Sequence, residues 1–225
     1  MTLEPRTTPA ERALGPRAAL VLAGGASSRM GRWKGGLDWR GKPLVLAHAR
    51  VLAAAGAVAV KTVYPEPVRH EAEPLLSPTA RVMNPDSDAP MFASIQLGLR
   101  TLLSDRSDWG SVLITPVDAV PLDEERLAAL WHRHESLDVW VTRPRARSDG
   151  DGRNRHGHPI VVDQRLFESI LAASPDDARL DVLVGQLPAS AIAEFELDSR
   201  ETLFNINTPR DYDMAGRGEA EGMHD

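Results

Sequence analysis

The segment that most restricts what this chain can fold into is Ala18-Ala-Leu-Val-Leu-Ala23, six apolar residues in a row that stop at Gly24-Gly25. A strand wetted on one face alternates apolar and polar residues. An unbroken apolar run bounded by glycine fits a strand buried on both faces, as in a parallel sheet covered by helices on either side. The rest of the chain repeats the theme. Strands are expected over 58–63, 80–83, 112–115, 139–142 and 158–162, and helices over 43–56, 67–76, 90–103, 123–134, 165–172 and 178–187. Pro43 suits a first helical turn and Gly56 a helix end, and Phe92, Ile95, Leu99 and Leu102 fall on one helical side. Strands alternating with helices predict an α/β fold: a single-domain, doubly wound, mostly parallel sheet. The polar stretch 143–157, rich in Arg, Gly and Asp, is expected to be a mobile surface loop.

A chain of 225 residues can bury roughly 70% of the surface it exposes when unfolded, which suits one continuous core. The division expected is a flexible leader over 1–17, a domain over 18–213 and a flexible tail over 214–225. A net charge of −6 argues against a general nucleic-acid partner, which would need a basic face. With no cysteine, disulfides, thiolate metal sites and cysteine nucleophiles are excluded. The leader has no apolar core of a secretory signal. No apolar run approaches the roughly 18 residues of a membrane span, so no membrane partner and a cytoplasmic location are expected.

The chemistry concentrates in Leu22-Ala-Gly-Gly-Ala-Ser-Ser-Arg-Met-Gly-Arg-Trp-Lys34. It follows the first strand, and in open parallel sheets ligands collect beyond the carboxyl ends of strands. Gly24 and Gly25 lack Cβ, so their amides are expected to approach an anion closely and to adopt positive φ. Ser27 and Ser28 add hydroxyl donors, and Arg29 and Lys34 fixed positive charge for a triphosphate. Two better-known phosphate loops do not fit. No Gly-x-x-x-x-Gly-Lys-Ser/Thr occurs, and Gly-x-Gly-x-x-Gly is absent. The bland alternative is a tight strand-to-helix turn bearing solvated cations.

Leu22-Ala-Gly-Gly-Ala-Ser-Ser-Arg-Met-Gly31, Lys34 and Gly41-Lys-Pro-Leu44 resemble the signature of the MobA-like nucleotidyltransferases, a family that includes molybdenum-cofactor guanylyl- and cytidylyltransferases. The likeness runs from about Ala18 to Tyr212. It implies a Rossmann-like nucleotidyltransferase fold, Mg²⁺ as cofactor, an NTP (CTP or GTP) as donor and a small phosphorylated acceptor, foremost molybdopterin. Leu22, Ala23, Gly24, Gly25, Ser27, Ser28, Arg29 and Lys34 then bind nucleotide, and Arg29, Lys34 and Asp118 are the catalytic candidates. Lys42 is a weaker member of the same charge cluster.

Val112-Leu-Ile-Thr-Pro-Val-Asp118 reads as a buried strand delivering one carboxylate at its end, and hard cations such as Mg²⁺ take oxygen ligands. Asp118 stands where the family has its metal-binding aspartate, although Ala119-Val120 separates it from the proline that usually follows more closely. Its bland alternative is a cap for the helix beginning near Asp123. Asn205-Ile-Asn207-Thr-Pro also resembles a family segment. Asn207 is a candidate metal ligand through its carbonyl, or alternatively part of a helix cap in which Thr208 and Pro209 take part. Ser94, in Met91-Phe-Ala-Ser94-Ile-Gln96, resembles a nucleotide-facing serine of the cytidylyl branch, against a reading of Met91, Phe92 and Ile95 as core. His158, in Gly157-His-Pro159, resembles an acceptor-binding residue of that branch, or is a structural histidine. Gly24 leans toward GTP, whereas the Arg29-to-Lys34 spacing, the 91–96 segment and Gly157-His-Pro159 lean toward CTP, so the base stays open.

The reaction implied is in-line attack of the acceptor phosphate on the α-phosphorus, with pyrophosphate leaving. A sugar phosphate or another phosphorylated alcohol is an alternative acceptor, and a non-catalytic nucleotide-binding protein an alternative of another class. A glycosyltransferase lacks support, because no Asp-x-Asp lies at Asp118. His132 and His134, two apart on a helix, point in different directions and make a poor metal pair.

Overall fold

A computed structural model describes residues 15–24, 32–146, 155–197 and 204–216. The apolar run forms β1 (Arg17–Leu22) at the centre of a sheet, with β4 (Ala59–Pro65) parallel on one side and β6 (Ser111–Pro116) parallel on the other. β5 (Arg81–Asn84) extends the sheet beyond β4. On the far side β9 (Ile160–Asp163) runs antiparallel to β6, and β7 (Val141–Ala146) antiparallel to β9. β10 (Ile192–Glu196) is parallel to β7, and β8 (Arg155–His156) pairs with β7 antiparallel. The sheet of eight strands has the order β10-β7-β9-β6-β1-β4-β5, with β8 beside β7. It is mostly parallel, as its central apolar strands require.

Helices cover both faces because β1 buries both. Ala19 and Val21 point into one core, shared with α1 (Leu44–Ala54) and α4 (Glu124–Glu135). Ala18, Leu20 and Leu22 point into the other, shared with α3 (Met91–Asp105), α5 (Phe167–Ala172) and α6 (Leu180–Gly185). Phe92, Ile95, Leu99 and Leu102 are all buried on the inner side of α3. Gly98 lets that helix lie close, for a Cβ there would sit 2.9 Å from a Leu20 methyl and 3.0 Å from one of Val63.

Several local expectations are corrected. The helix expected over 67–76 shortens to a 3-10 turn, Glu66–Val68, and one α-turn, α2 (Arg69–Ala72). The two ends of the expected loop over 143–157 are strand: β7 runs on to Ala146, and β8 returns beside it, while 147–154 lie outside the described residues. Charged side chains paired across strands replace the apolar alternation there. Ile-Ala-Glu-Phe-Glu, 192–196, forms the edge strand β10. The Gly41 segment is a small hairpin, β2 (Asp38–Trp39) and β3 (Lys42–Pro43), whose turn residues Arg40 and Gly41 have φ of 52° and 82°, the left-handed pair a two-residue hairpin needs. β1 starts at Arg17, whose guanidinium lies 2.5 Å from Glu135. At the other end α7 (Pro209–Gly216) continues past 213 and buries Ala215. The expected leader and tail therefore give up a few residues to the folded unit. No helix among the described residues is long and apolar enough to cross a membrane.

Candidate active site

β1 sits where neighbouring connections diverge to opposite sides, to β4 and to β6, and such a switch point opens a crevice beyond the strand ends. β1 and β6 deliver Gly24 and Asp118 to this edge. β9 runs the other way, with Ile160 opposite Ile114, so His158, two residues before the strand, arrives at the same edge. The reversed strand brings together positions 134 residues apart in sequence.

Asp118 follows β6 in a turn held from several sides. Val117 N–H donates to Leu22 O at 2.9 Å, Ile206 N–H donates to Asp118 O at 2.7 Å, and Ala119 pairs with Asn205 in an antiparallel bridge. That bridge carries the 204–207 segment to the site. Lys34 Nζ then lies 2.9 Å from Asp118 Oδ2 and 3.0 Å from Asn207 Oδ1. Two hard oxygens from distant parts of the chain thus converge on one cation. Neither is spent on capping. Asp123 caps α4, accepting from Arg126 N–H at 2.8 Å. At α7, Thr208 Oγ1 accepts from Asp211 N–H while Asp211 Oδ2 accepts from the Asn207 and Thr208 N–H groups, a reciprocal capping box.

Gly25, Ser27, Ser28 and Arg29 lie outside the described residues. Their flanks do not. Ala23 N–H donates to Val63 O at 2.8 Å, and the buried indole of Trp33 donates to Ala23 O at 3.0 Å, tying the two stems together. Gly24 does not take the positive φ expected of it; the described glycines that do are Gly41 and Gly56. Among the described residues, a Cβ on Gly24 would meet nothing nearer than Ser94 Oγ at 3.9 Å. Ser94 is buried in the first turn of α3 and accepts from Asn84 Nδ2 at 3.2 Å. Met91 is exposed rather than core, while Phe92 and Ile95 are core. Gln96 faces away, donating to Ile170 O and Ala173 O. Lys42 is exposed on β3, and no hydrogen bond or ion pair among the described residues joins it to Asp118 or Asn207.

Two histidines bear on Asp118. His48, buried in α1, places Nε2 3.0 Å from Ala119 O. Burial pushes its pKa down to about 4, against smaller upward effects of that carbonyl, the Val117 backbone and Asp118. It is neutral at pH 7, and since the carbonyl can only accept, Nε2 carries the proton. Sequence reasoning missed this residue; a lone histidine amid Leu44-Val-Leu-Ala and Ala49 was the available signal. His158 also has a lowered pKa, through burial first, with Asp118 opposing it.

A cavity of about 450 Å³ opens beside these groups. Leu22, Phe92, Ile95, Ile114, Ile160 and Val184 form its apolar wall, and Arg143, His156, His158 and the Arg179–Asp181 ion pair also line it. Arg143 and His156 went unnoticed in the sequence because they were read as loop.

Residues 19–191 match the family model of the MobA-like NTP transferase domain. A curated protein of Synechococcus elongatus, named a probable molybdenum cofactor guanylyltransferase, is 31% identical over 197 residues, covering 87% of this chain and 95% of that one. Among solved structures, Rv0371c of Mycobacterium tuberculosis superposes with a TM-score of 0.72 at 16% identity, covering 90% of this chain and 98% of that one. A second structure of that protein is a complex with manganese, with a TM-score of 0.67 at 16% identity and the same coverage. A nucleotidyl transferase of Methanothermobacter gives 0.68 at 20% identity, covering 90% and 99%. Fold and edge site define a Rossmann-like α/β nucleotidyltransferase. The chain belongs to the MobA-like NTP transferase family and is a transferase of nucleotidyl groups.

Proposed function

We propose that the protein moves a nucleotide from GTP or CTP to molybdopterin, releasing pyrophosphate, with GTP the favoured donor. The observation that carries the site assignment is the meeting of Lys34, Asp118 and Asn207 at the β1–β6 edge. The name of the Synechococcus relative supports both acceptor and base. A CTP donor is the second reading, favoured by Gly157-His-Pro159 at the cavity.

The donor set fits a divalent cation. A carboxylate and an amide oxygen already share a single cation, the Lys34 ammonium, and Mg²⁺ takes one or two protein oxygens and fills its octahedron with water and phosphate. Asp118 and Asn207 would hold it, and when bound it supplies neutralisation of the triphosphate's negative charge and Lewis acidity. That a structure of the mycobacterial fold neighbour is a complex with manganese supports a divalent cation for this fold. Lys34, released from its two partners, would turn its ammonium to the β- and γ-phosphates together with Arg29. Gly24 and Gly25, with Ser27 and Ser28, would let backbone and hydroxyl donors approach the triphosphate, with Leu22 and Ala23 at its base side and Ser94 opposite Gly24. His158 would face the acceptor.

An acceptor phosphate oxygen forms the new bond to the α-phosphorus, while the bond from that phosphorus to the bridging oxygen breaks and the electron pair leaves with pyrophosphate. The attacking oxyanion needs no general base. The chain's task is positioning and charge neutralisation, and His48 serves it indirectly by holding the 117–119 turn. The test is pyrophosphate release from each of the four NTPs, with molybdopterin or with glucose 1-phosphate as acceptor. The proposal expects release with molybdopterin and GTP, or CTP under the second reading. Release with the sugar phosphate alone would sink it.

A further inference from the structure

The cavity beside Asp118 is apolar over most of its wall, yet one corner carries Arg143 and His156, apart from the Arg179–Asp181 ion pair that also lines it. The strand register builds that corner. Glu194 on β10 stands beside Arg143 on β7, and Arg145 on β7 beside His156 on β8. Residues 141, 143 and 145 share one face of β7, the face whose Val141 belongs to the α3 core. Glu194 is the common partner. Its Oε1 accepts from Arg143 Nη2 at 3.3 Å and lies 2.7 Å from His156 Nε2, and its Oε2 accepts from Arg145 Nη1 at 3.1 Å. One carboxylate thus answers two guanidinium ions and an imidazole. Polar nitrogens are left over: among the described residues, Nε of Arg143, Nε of Arg145 and Nδ1 of His158 are buried without a hydrogen-bond partner. A buried polar nitrogen left unsatisfied is costly, and Arg143 and His158 line the cavity.

We propose that Arg143 and His156 form an anion-binding wall for the acceptor's phosphate, with Glu194 as the resident counter-ion that holds the wall in place. This rests on the nucleotide-transfer reading and adds to it the residues that hold the acceptor's phosphate, beside a wall in which Phe92, Ile114 and Ile160 offer contact area and few hydrogen bonds. A polyol body would leave its hydroxyls unsatisfied against such a wall. Arg143 binds the phosphate through its remaining donors, at the same edge as Asp118 and His158.

The sign of the Glu194 effect separates an anion site from a mere structural clamp. Phenyl phosphate, as a flat phosphate monoester, is titrated into the wild-type protein, Arg143→Gln and Glu194→Gln, reading the His156 and His158 ring signals by NMR. Glucose 1-phosphate is the comparison ligand, and thermal melting checks that each variant folds. Arg143→Gln is expected to bind phenyl phosphate at least about tenfold more weakly, through loss of a charge-assisted donor. Glu194→Gln, isosteric but uncharged, is expected to bind it severalfold more tightly, and glucose 1-phosphate to bind the wild type more weakly than phenyl phosphate. Affinity for magnesium GTP or CTP is expected to stay the same in both variants. Unchanged phenyl phosphate affinity in Arg143→Gln, or weaker affinity in Glu194→Gln, overturns the wall. If Arg143→Gln does not fold, the Glu194→Gln result decides alone. A wild type that binds phenyl phosphate in this pattern but neither nucleotide supports the wall and overturns the transfer reading beneath it.

Discussion

Lys34 is the residue on which the site turns, since its ammonium bridges Asp118 and Asn207, two side chains 89 positions apart. Removing it takes one charge stabiliser from the transition state, so Lys34→Ala is expected to lower turnover by about 10²–10³. Steady-state pyrophosphate release measures this, and wild-type turnover would remove Lys34 from the chemistry. Gly24 makes a complementary test. Among the described residues a methyl group there meets only Ser94 Oγ at 3.9 Å, and the backbone is not left-handed, so Gly24→Ala should melt within a degree or two of wild type. Its nucleotide affinity should nonetheless fall at least about tenfold if backbone and phosphate approach each other at that point. A variant that loses stability but keeps affinity would make the glycine structural.

Among the elements, the 117–119 turn and α7 show what sequence could and could not reveal. Asp118 was legible because an apolar strand ending in a lone carboxylate is a distinct pattern. Its anchors were not, because His48 and Ile206 reach it through backbone atoms that carry no sequence signature. His48 gives the turn a pH dependence. Its folded pKa of about 4 lies below the free value of 6.5, so the unfolded chain takes up the proton first. Stability is complete above pH 6.5 and is lost as pH falls toward 4, by on the order of 3 kcal/mol over that window. Urea unfolding at pH 7 and pH 5 should show a smaller loss for His48→Gln than for wild type; equal losses would contradict the assignment. Thr208→Ala removes the cap of α7 and is expected to cost about 1 kcal/mol in the same assay, with Asn207 itself intact. The strands β7, β8 and β10 were read poorly for a physical reason. Arg143, Arg145, His156 and Glu194 are stabilised by one another, and a hydrophobic-periodicity argument registers such residues as loop.

Over the whole molecule, the doubly wound sheet followed from one inference: a strand buried on both faces needs helices on both. The order of strands did not follow. In particular, nothing local in Ile160–Asp163 reveals that β9 runs against β6, yet that reversal brings His158 to the edge where β1 and β6 end. Pairing direction depends on contacts between residues far apart in sequence, and a window of ten or fifteen residues does not contain it. The proposed nucleotide side of the site rests on residues legible in the sequence, the glycine-rich turn and Asp118. The proposed acceptor side, where Arg143 and His156 meet the cavity, emerges only from the sheet. The central claim is that Asp118 and Asn207 hold a divalent cation through which this edge accepts a nucleoside triphosphate. Calorimetric titration of ATP, CTP, GTP and UTP into wild type and Asp118→Ala, with and without Mg²⁺, tests it most directly. The account predicts saturable binding of GTP or CTP that requires Mg²⁺ and weakens at least about tenfold in Asp118→Ala. Binding that ignores both the metal and the substitution, or no binding of any nucleotide, would contradict it.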